Sequence, residues 1–220
     1  KQSGEQLSPE NFEKAQILIK DMLNYCMQRC MDLNKLGVHK SIINRYLEPW
    51  SYITVVITAT EWDNFFKLRC HPAVEKHFQT LATSMQMAMD ESKPRLIRHG
   101  DWHLPYIDSK DWNLDKAEFG LNLDRNYDEL VVLLKKVSAA RCARVSYLTH
   151  DGTRSIKADL ELAERLLNPG DGAIHASPFE HVATPCSAPE PTLWEQRSPF
   201  KGWRQYRKEI PGETYVAPRV

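Results

Sequence analysis

The sequence has no net charge, no membrane-length apolar run, no internal repeat and no C-x-x-C pair, and each absence removes a class of protein. Across 220 residues, 29 Lys and Arg balance 29 Asp and Glu. No global field therefore draws the chain to nucleic acid or to an anionic membrane, and any anion site must be local. No stretch approaches the roughly 20 apolar residues of a membrane-spanning helix, and the opening KQSGEQLSPENFEK lacks the basic start and apolar centre of a leader peptide. The five cysteines (Cys26, Cys30, Cys70, Cys142 and Cys186) are odd in number. Cys26 and Cys30 fall in an apolar helical run, where they read as small core residues of a reduced, cytoplasmic protein. What is present, 42% hydrophobic and 26% charged residues, suits a folded domain rather than a disordered chain. The expectation is one compact, helix-rich α/β (α+β) domain, with a small molecule or another protein chain as its partner.

Local signals place the elements. Ser8-Pro9-Glu10 sets a capping hydroxyl before a proline at the first helical position, and predicts a helix start. Phe12, Ala15, Ile19, Met22, Leu23, Cys26, Cys30 and Leu33 recur at steps of three and four up to Gly37, so a core helix of roughly seven turns is expected. A second helix over 38–47 is stopped by Pro49 and carries Arg45 near its end. Residues 51–58 (SYITVVIT) are β-branched and aromatic and read as a strand, followed by a helix capped at Thr60 with Asp63 three residues on. A further helix after Pro72 has a core stripe of Val74, Phe78, Leu81, Ala82, Met85 and Met89. Residues 92–125 read as an irregular crossing. Within it, His99 and His103 lack the helix and further ligand that a metal would need. Helices resume over 127–149 and 156–167, before a proline-rich last third.

Two segments carry the chemistry. In His175-Ala176-Ser177-Pro178-Phe179-Glu180-His181, Ser177 and Glu180 have capping-box spacing with Pro178 between them, which predicts a helix start whose free N–H groups would hold phosphate beside two histidines. In Glu61-Trp62-Asp63-Asn64-Phe65-Phe66-Lys67-Leu68-Arg69, the aromatic residues demand burial, so Asn64 and Arg69 are expected to be partly buried. A desolvated guanidinium then needs an anion or a structural ion pair.

The stretches Leu36-Gly37-Val38, Asn44-Arg45-Tyr46-Leu47-Glu48-Pro49, Thr58-Ala59-Thr60, Asn64, Leu68-Arg69, Ala73 and Glu75 resemble one half of the flavin-dependent thymidylate synthases, the ThyX family. Ala143-Arg144-Val145-Ser146-Tyr147 and HASPFEH resemble the other half, including its H-x-[ST]-P-x-E-H motif. The order is permuted relative to the common family pattern, as in a phage-like branch. The family's R-H-R-x-x-S loop is absent, with only Gly202-Trp203-Arg204-Gln205-Tyr206-Arg207-Lys208 similar to the strand leading into it. A segment carrying that loop is expected before Lys1. The resemblance covers a little under half of the chain.

It implies helices packed on a mixed or antiparallel sheet, FAD as cofactor, and NADPH and methylenetetrahydrofolate as co-substrates. It also implies dUMP as substrate and a homotetramer with shared sites. Residue by residue, it assigns His175, Ser177, Glu180, Asn64 and Ser146 to FAD, Arg45 and Arg69 to dUMP, and to Arg69 the role of favouring ionisation at the uracil N3. Thr58 and Thr60 stand where asparagine and arginine are common. A cation at the pyrimidine edge suits methyl transfer to C5, because it stabilises the charge that develops there. Flavin redox chemistry makes no demand for a cysteine nucleophile. Two alternatives accompany this expectation: a deoxyuridylate hydroxymethylase on the same scaffold, and a non-catalytic nucleotide-binding or assembly protein.

Overall fold

The computed structural model describes residues 6–113, 127–145, 155–170, 174–187 and 200–213. The first helix, α1 (Pro9–Lys35), starts as its sequence dictates, with Ser8 Oγ accepting from the Asn11 N–H at 3.3 Å. It ends where Gly37 takes a left-handed φ of +84°. That conformation lets the Gly37 N–H reach Asn34 O and the Val38 N–H reach Leu33 O, the paired bonds that satisfy the last carbonyls of a helix. The chain then folds back as α2 (Lys40–Leu47), capped by His39. Cys26 Sγ donates to Tyr46 O at 3.3 Å, tying the two helices together.

Three expectations for this half are corrected. Along α1 only Cys30 is buried, while Phe12, Ile19 and Met22 stay about half exposed, because no other described element covers their stripe. In α4 (Lys76–Glu91), likewise, Ala82 is buried but Phe78, Leu81 and Met89 are exposed. Residues 51–58 form no strand: β-propensity is expressed only where another strand supplies the ladder, and none of the described strands pairs with them. The segment runs without regular structure, and Tyr52, Ile53, Val55 and Ile57 are largely exposed.

The short helix α3 (Asp63–Arg69) begins without a side-chain cap. Thr60, the expected cap, instead accepts from the Lys201 N–H at 2.9 Å through its hydroxyl. Trp62, Phe65 and Phe66 form an aromatic cluster that Phe78 of α4 joins at 6.3 Å. At the start of α4 the Glu75 carboxylate accepts from the Phe78 and His77 N–H groups, which hold its pKa down at about 2.

The densest packing lies in the later part of the chain, around α5 (Tyr127–Arg144) and α6 (Ile156–Leu167). The second matches its expected span, while the first starts at the expected 127 but ends at Arg144, and residues 146–149 of its expected span lie outside the described residues. Ala139, Ala140 and Ala163 are wholly buried, and such small side chains permit close approach of helix axes. Phe179, Val182 and Tyr206 complete this core. Beside it, β1 (Ala183–Pro185) and β2 (Trp203–Gln205) pair antiparallel, with Thr184 opposite Arg204. The architecture is therefore helix-rich, with a two-stranded antiparallel sheet among the described residues.

The described part of the irregular crossing, up to residue 113, is pinned rather than free. Arg141 is buried and donates to both Asp111 oxygens at 2.6 and 2.8 Å, to Asp159 at 2.9 Å and to Tyr106 O at 2.8 Å. Ser138 donates to Pro105 O at 2.7 Å. Arg144 adds a second cation on Asp159 at 3.0 Å. Burial opposes the Arg141 charge, but Asp111 and Asp159 outweigh it and raise the guanidinium pKa further. These bonds hold Tyr106 at φ +61°, a left-handed conformation that a bulky residue adopts only when its surroundings enforce it. No helix among the described residues is long and apolar enough to cross a membrane.

Candidate functional site

The H-x-S-P-x-E-H segment folds differently from its capping-box expectation. Ser177–Glu180 is a single 3₁₀ turn, its preceding residue is Ala176, and Ser177 makes no capping bond. The reason lies in the partners the segment meets. Glu180 is drawn to Arg207 Nη1 at 3.2 Å, its backbone carbonyl accepts from Gln205 Nε2 at 3.2 Å, and the chain must straighten at once into β1. A four-residue turn has no long row of aligned peptides behind it, so the expected phosphate site at a helix N-terminus is not formed.

The turn instead borders a cavity of about 330 Å³. Its apolar walls are Val55, Val56, Val145, Leu166 and Pro178, and its polar groups come from Cys142, His175, Ser177 and His181. A second cavity of about 250 Å³ is lined by Thr58, Ala59, Thr60, His103, Phe200 and Trp203, among others. Thr58 on the wall of the second is hydrogen-bonded through Oγ1 to Nδ1 of His181 on the wall of the first, at 2.9 Å. That contact joins residues 123 positions apart. It links the two stretches of sequence that carry the family resemblance, and on the surface Lys201 Nζ meets Glu61 at 2.8 Å.

Electrostatics divide the polar groups by role. Burial pushes the Cys142 thiol up to about 12, so it is a neutral wall group rather than a nucleophile. Burial also holds His181 below its ordinary 6.5, with Glu180 opposing weakly. A neutral imidazole fixed through Nδ1 leaves Nε2 to donate to, or accept from, whatever occupies the cavity, according to its tautomer.

Of the residues assigned from the sequence, His175 and Ser177 lie on the cavity wall. Glu180 does not, because Arg207 holds its carboxylate. Arg45 at the end of α2, Asn64 in the first turn of α3 and Arg69 at its last residue are all exposed and absent from the wall. The expected partial burial of Asn64 and Arg69 is thereby corrected. The short helix buries Phe66 and turns both polar residues outward, where the Arg69 guanidinium lies 5.5 Å from the Phe78 ring centroid. Ser146 lies outside the described residues. Sequence reasoning missed Cys142, Val55 and Val56. Cys142 has no local signature, while the valines were marked only as strand formers.

The cavity's fit to FAD is partial. Its volume is near the lower end of the roughly 300–1,000 Å³ of ligand pockets, and an apolar wall with a polar edge suits one ring system. No lysine or arginine is on that wall among the described residues, so a diphosphate finds no cation there. Among the described residues no group of three or more His, Cys, Asp or Glu side chains is arranged to hold a metal ion. No protein-family model matches the chain, and no curated protein or solved structure matches it.

Proposed function

We propose that the chain is a nucleotide-handling enzyme of the flavin-dependent thymidylate synthase type, converting dUMP to dTMP with methylenetetrahydrofolate and NADPH through bound FAD. The observation that carries this reading is the Thr58–His181 contact. It brings the H-x-S-P-x-E-H turn against the stretch leading into the Leu68-Arg69 helix, so two motifs far apart in sequence border adjoining cavities. When bound, the flavin would supply the redox chemistry, with His175, Ser177 and His181 offering polar contacts to its ring system beside the valine wall.

The cations that such a site needs are exposed on α2 and α3. Arg69, exposed with its guanidinium against the Phe78 ring, is suited to reach across to the cavity of another copy, and Arg45 and Asn64 are exposed as well. In this reading Arg69 is the catalytic cation, placed beside the uracil edge where negative charge develops. The bare apolar stripe of α1 gives such copies a surface on which to associate, in keeping with a homotetramer. A second reading, a flavin-free nucleotide-binding or assembly protein, is favoured by the lack of any cation on the cavity wall among the described residues.

The test is the absorbance spectrum of the purified protein under FAD titration, followed by dUMP titration of the flavin-loaded form. A bound-flavin spectrum that dUMP perturbs, with the dUMP response weakened at least roughly tenfold in Arg69→Ala, is the expected result. Protein that binds dUMP but never FAD would select the second reading.

A further inference from the structure

A third cavity, of about 440 Å³, lies between residues 94–97 and the pinned loop at 103–112. Ile97, Leu104, Ile107 and Trp112 give it an apolar lining, and Arg95 and His103 also face it. No carboxylate lines it among the described residues. The Trp112 ring is braced from outside the lining by the Tyr127 ring, stacked at 6.2 Å and 17°.

The guanidinium and the imidazole are placed without being used. The backbone of His103 is fixed by its bridge to Ala183, with N–H to O distances of 2.7 and 3.3 Å, so the ring cannot drift away from the wall. Its imidazole nitrogens meet no hydrogen-bond partner, and the Arg95 guanidinium meets no ion-pair partner, among the described residues. Burial lowers the His103 pKa, and the nearby Arg95 charge pushes it the same way. The cleft thus offers one guanidinium with no counter-charge on the lining and, beside it, a neutral imidazole that can donate a hydrogen bond, and an incoming anion would use both.

We propose that this cleft binds a small organic anion with a flat apolar body and one acidic group, the acid at Arg95 and His103 and the body against Trp112 and the aliphatic wall. The inference is independent of the nucleotide reading, since none of the residues assigned to FAD or dUMP lines this cleft.

The full chain, titrated separately with benzoate, phenyl phosphate and benzamide, tests it by tryptophan fluorescence and by the NMR shifts of the His103 ring. Saturable responses to one or both anions are expected, with the stronger anion identifying carboxylate or phosphate as the preferred acid. The neutral isostere benzamide should bind at least roughly tenfold more weakly than that anion. Arg95→Met, at an exposed position, should keep the native circular dichroism and lose affinity by a similar factor, and Trp112→Phe should abolish the fluorescence response. Equal binding of benzamide, no saturation up to about 10 mM of either anion, or an unchanged titration in folded Arg95→Met would overturn the proposal. The His103 shifts decide the matter if Trp112→Phe fails to fold. Because dUMP and FAD are titrated separately, loss of either site leaves the other measurable.

Discussion

At the scale of single residues, the Thr58–His181 pair makes a pH-dependent contribution to stability. Burial lowers the folded-state pKa of His181 below its ordinary 6.5. The native protein therefore resists a proton that the unfolded chain accepts. The contribution is fully present above about pH 6.5 and is lost as pH falls from there through the lowered folded value. His103 adds a second contribution of the same sign. Thermal unfolding between pH 7.5 and 5 is expected to show a falling midpoint, with a smaller fall in His181→Gln, which keeps polar atoms near Thr58 but cannot titrate. A variant whose midpoint falls as steeply as that of the parent would show that His181 titrates alike in both states. The sequence marks His181 only as a flank of its motif. Its partner Thr58 lies 123 positions away, beyond the reach of any local pattern.

At the scale of elements, the buried Arg141 cluster joins α5, α6 and the crossing loop. Removing its cation takes both guanidinium bonds from the buried Asp111 carboxylate, which keeps the Asp108 N–H at 2.8 Å, and uncovers one side of Asp159, whereas Arg144 still reaches the other Asp159 oxygen. Arg141→Met should cost about 3–5 kcal/mol, measured by denaturant unfolding, since breaking one partner of a buried pair costs that much. A loss below about 1 kcal/mol would mean that water reaches the carboxylates. The helices themselves were legible: Ser8-Pro9 and Gly37 encode the ends of α1 by local hydrogen bonding, and α5 and α6 announce themselves by length. The failures share a cause. Ser177 and Glu180 have capping-box spacing, but Arg207 takes the carboxylate; SYITVVIT has strand composition, but no described strand pairs with it; and Asp111 gives no hint that its guanidinium is 30 positions on. In each case a distant partner outbids a local preference.

At the scale of the whole molecule, burial is unevenly spread. Through residue 91 the core residues are Cys30, Ile43, Phe66 and Ala82, while Phe12, Ile19, Met22, Ile42 and Tyr46 are each at least half exposed. Large apolar side chains left exposed in this number point to an interaction surface on a folded protein. Sedimentation of the parent chain should show a homo-oligomer, and Ile19→Glu with Met22→Glu should shift it toward monomer, with the circular dichroism of α5 and α6 retained. A parent chain that sediments as a monomer at all concentrations would remove the shared-site reading of Arg45 and Arg69. The candidate site was legible in part at this scale. The motif led to His175 and Ser177 on the cavity wall, whereas exposure of the assigned arginines depends on packing that no local period encodes.

The Arg141 cluster also makes one guanidinium common to three segments. It joins α5 to α6 through Asp159, and α5 to the crossing through Asp111 and the Tyr106 carbonyl. Losing either carboxylate leaves the buried cation less compensated where the other still holds it, so the helical pair and the crossing should loosen together rather than one at a time. Trp112 and His103, which face the third cavity from the same stretch, lie within reach of that coupling.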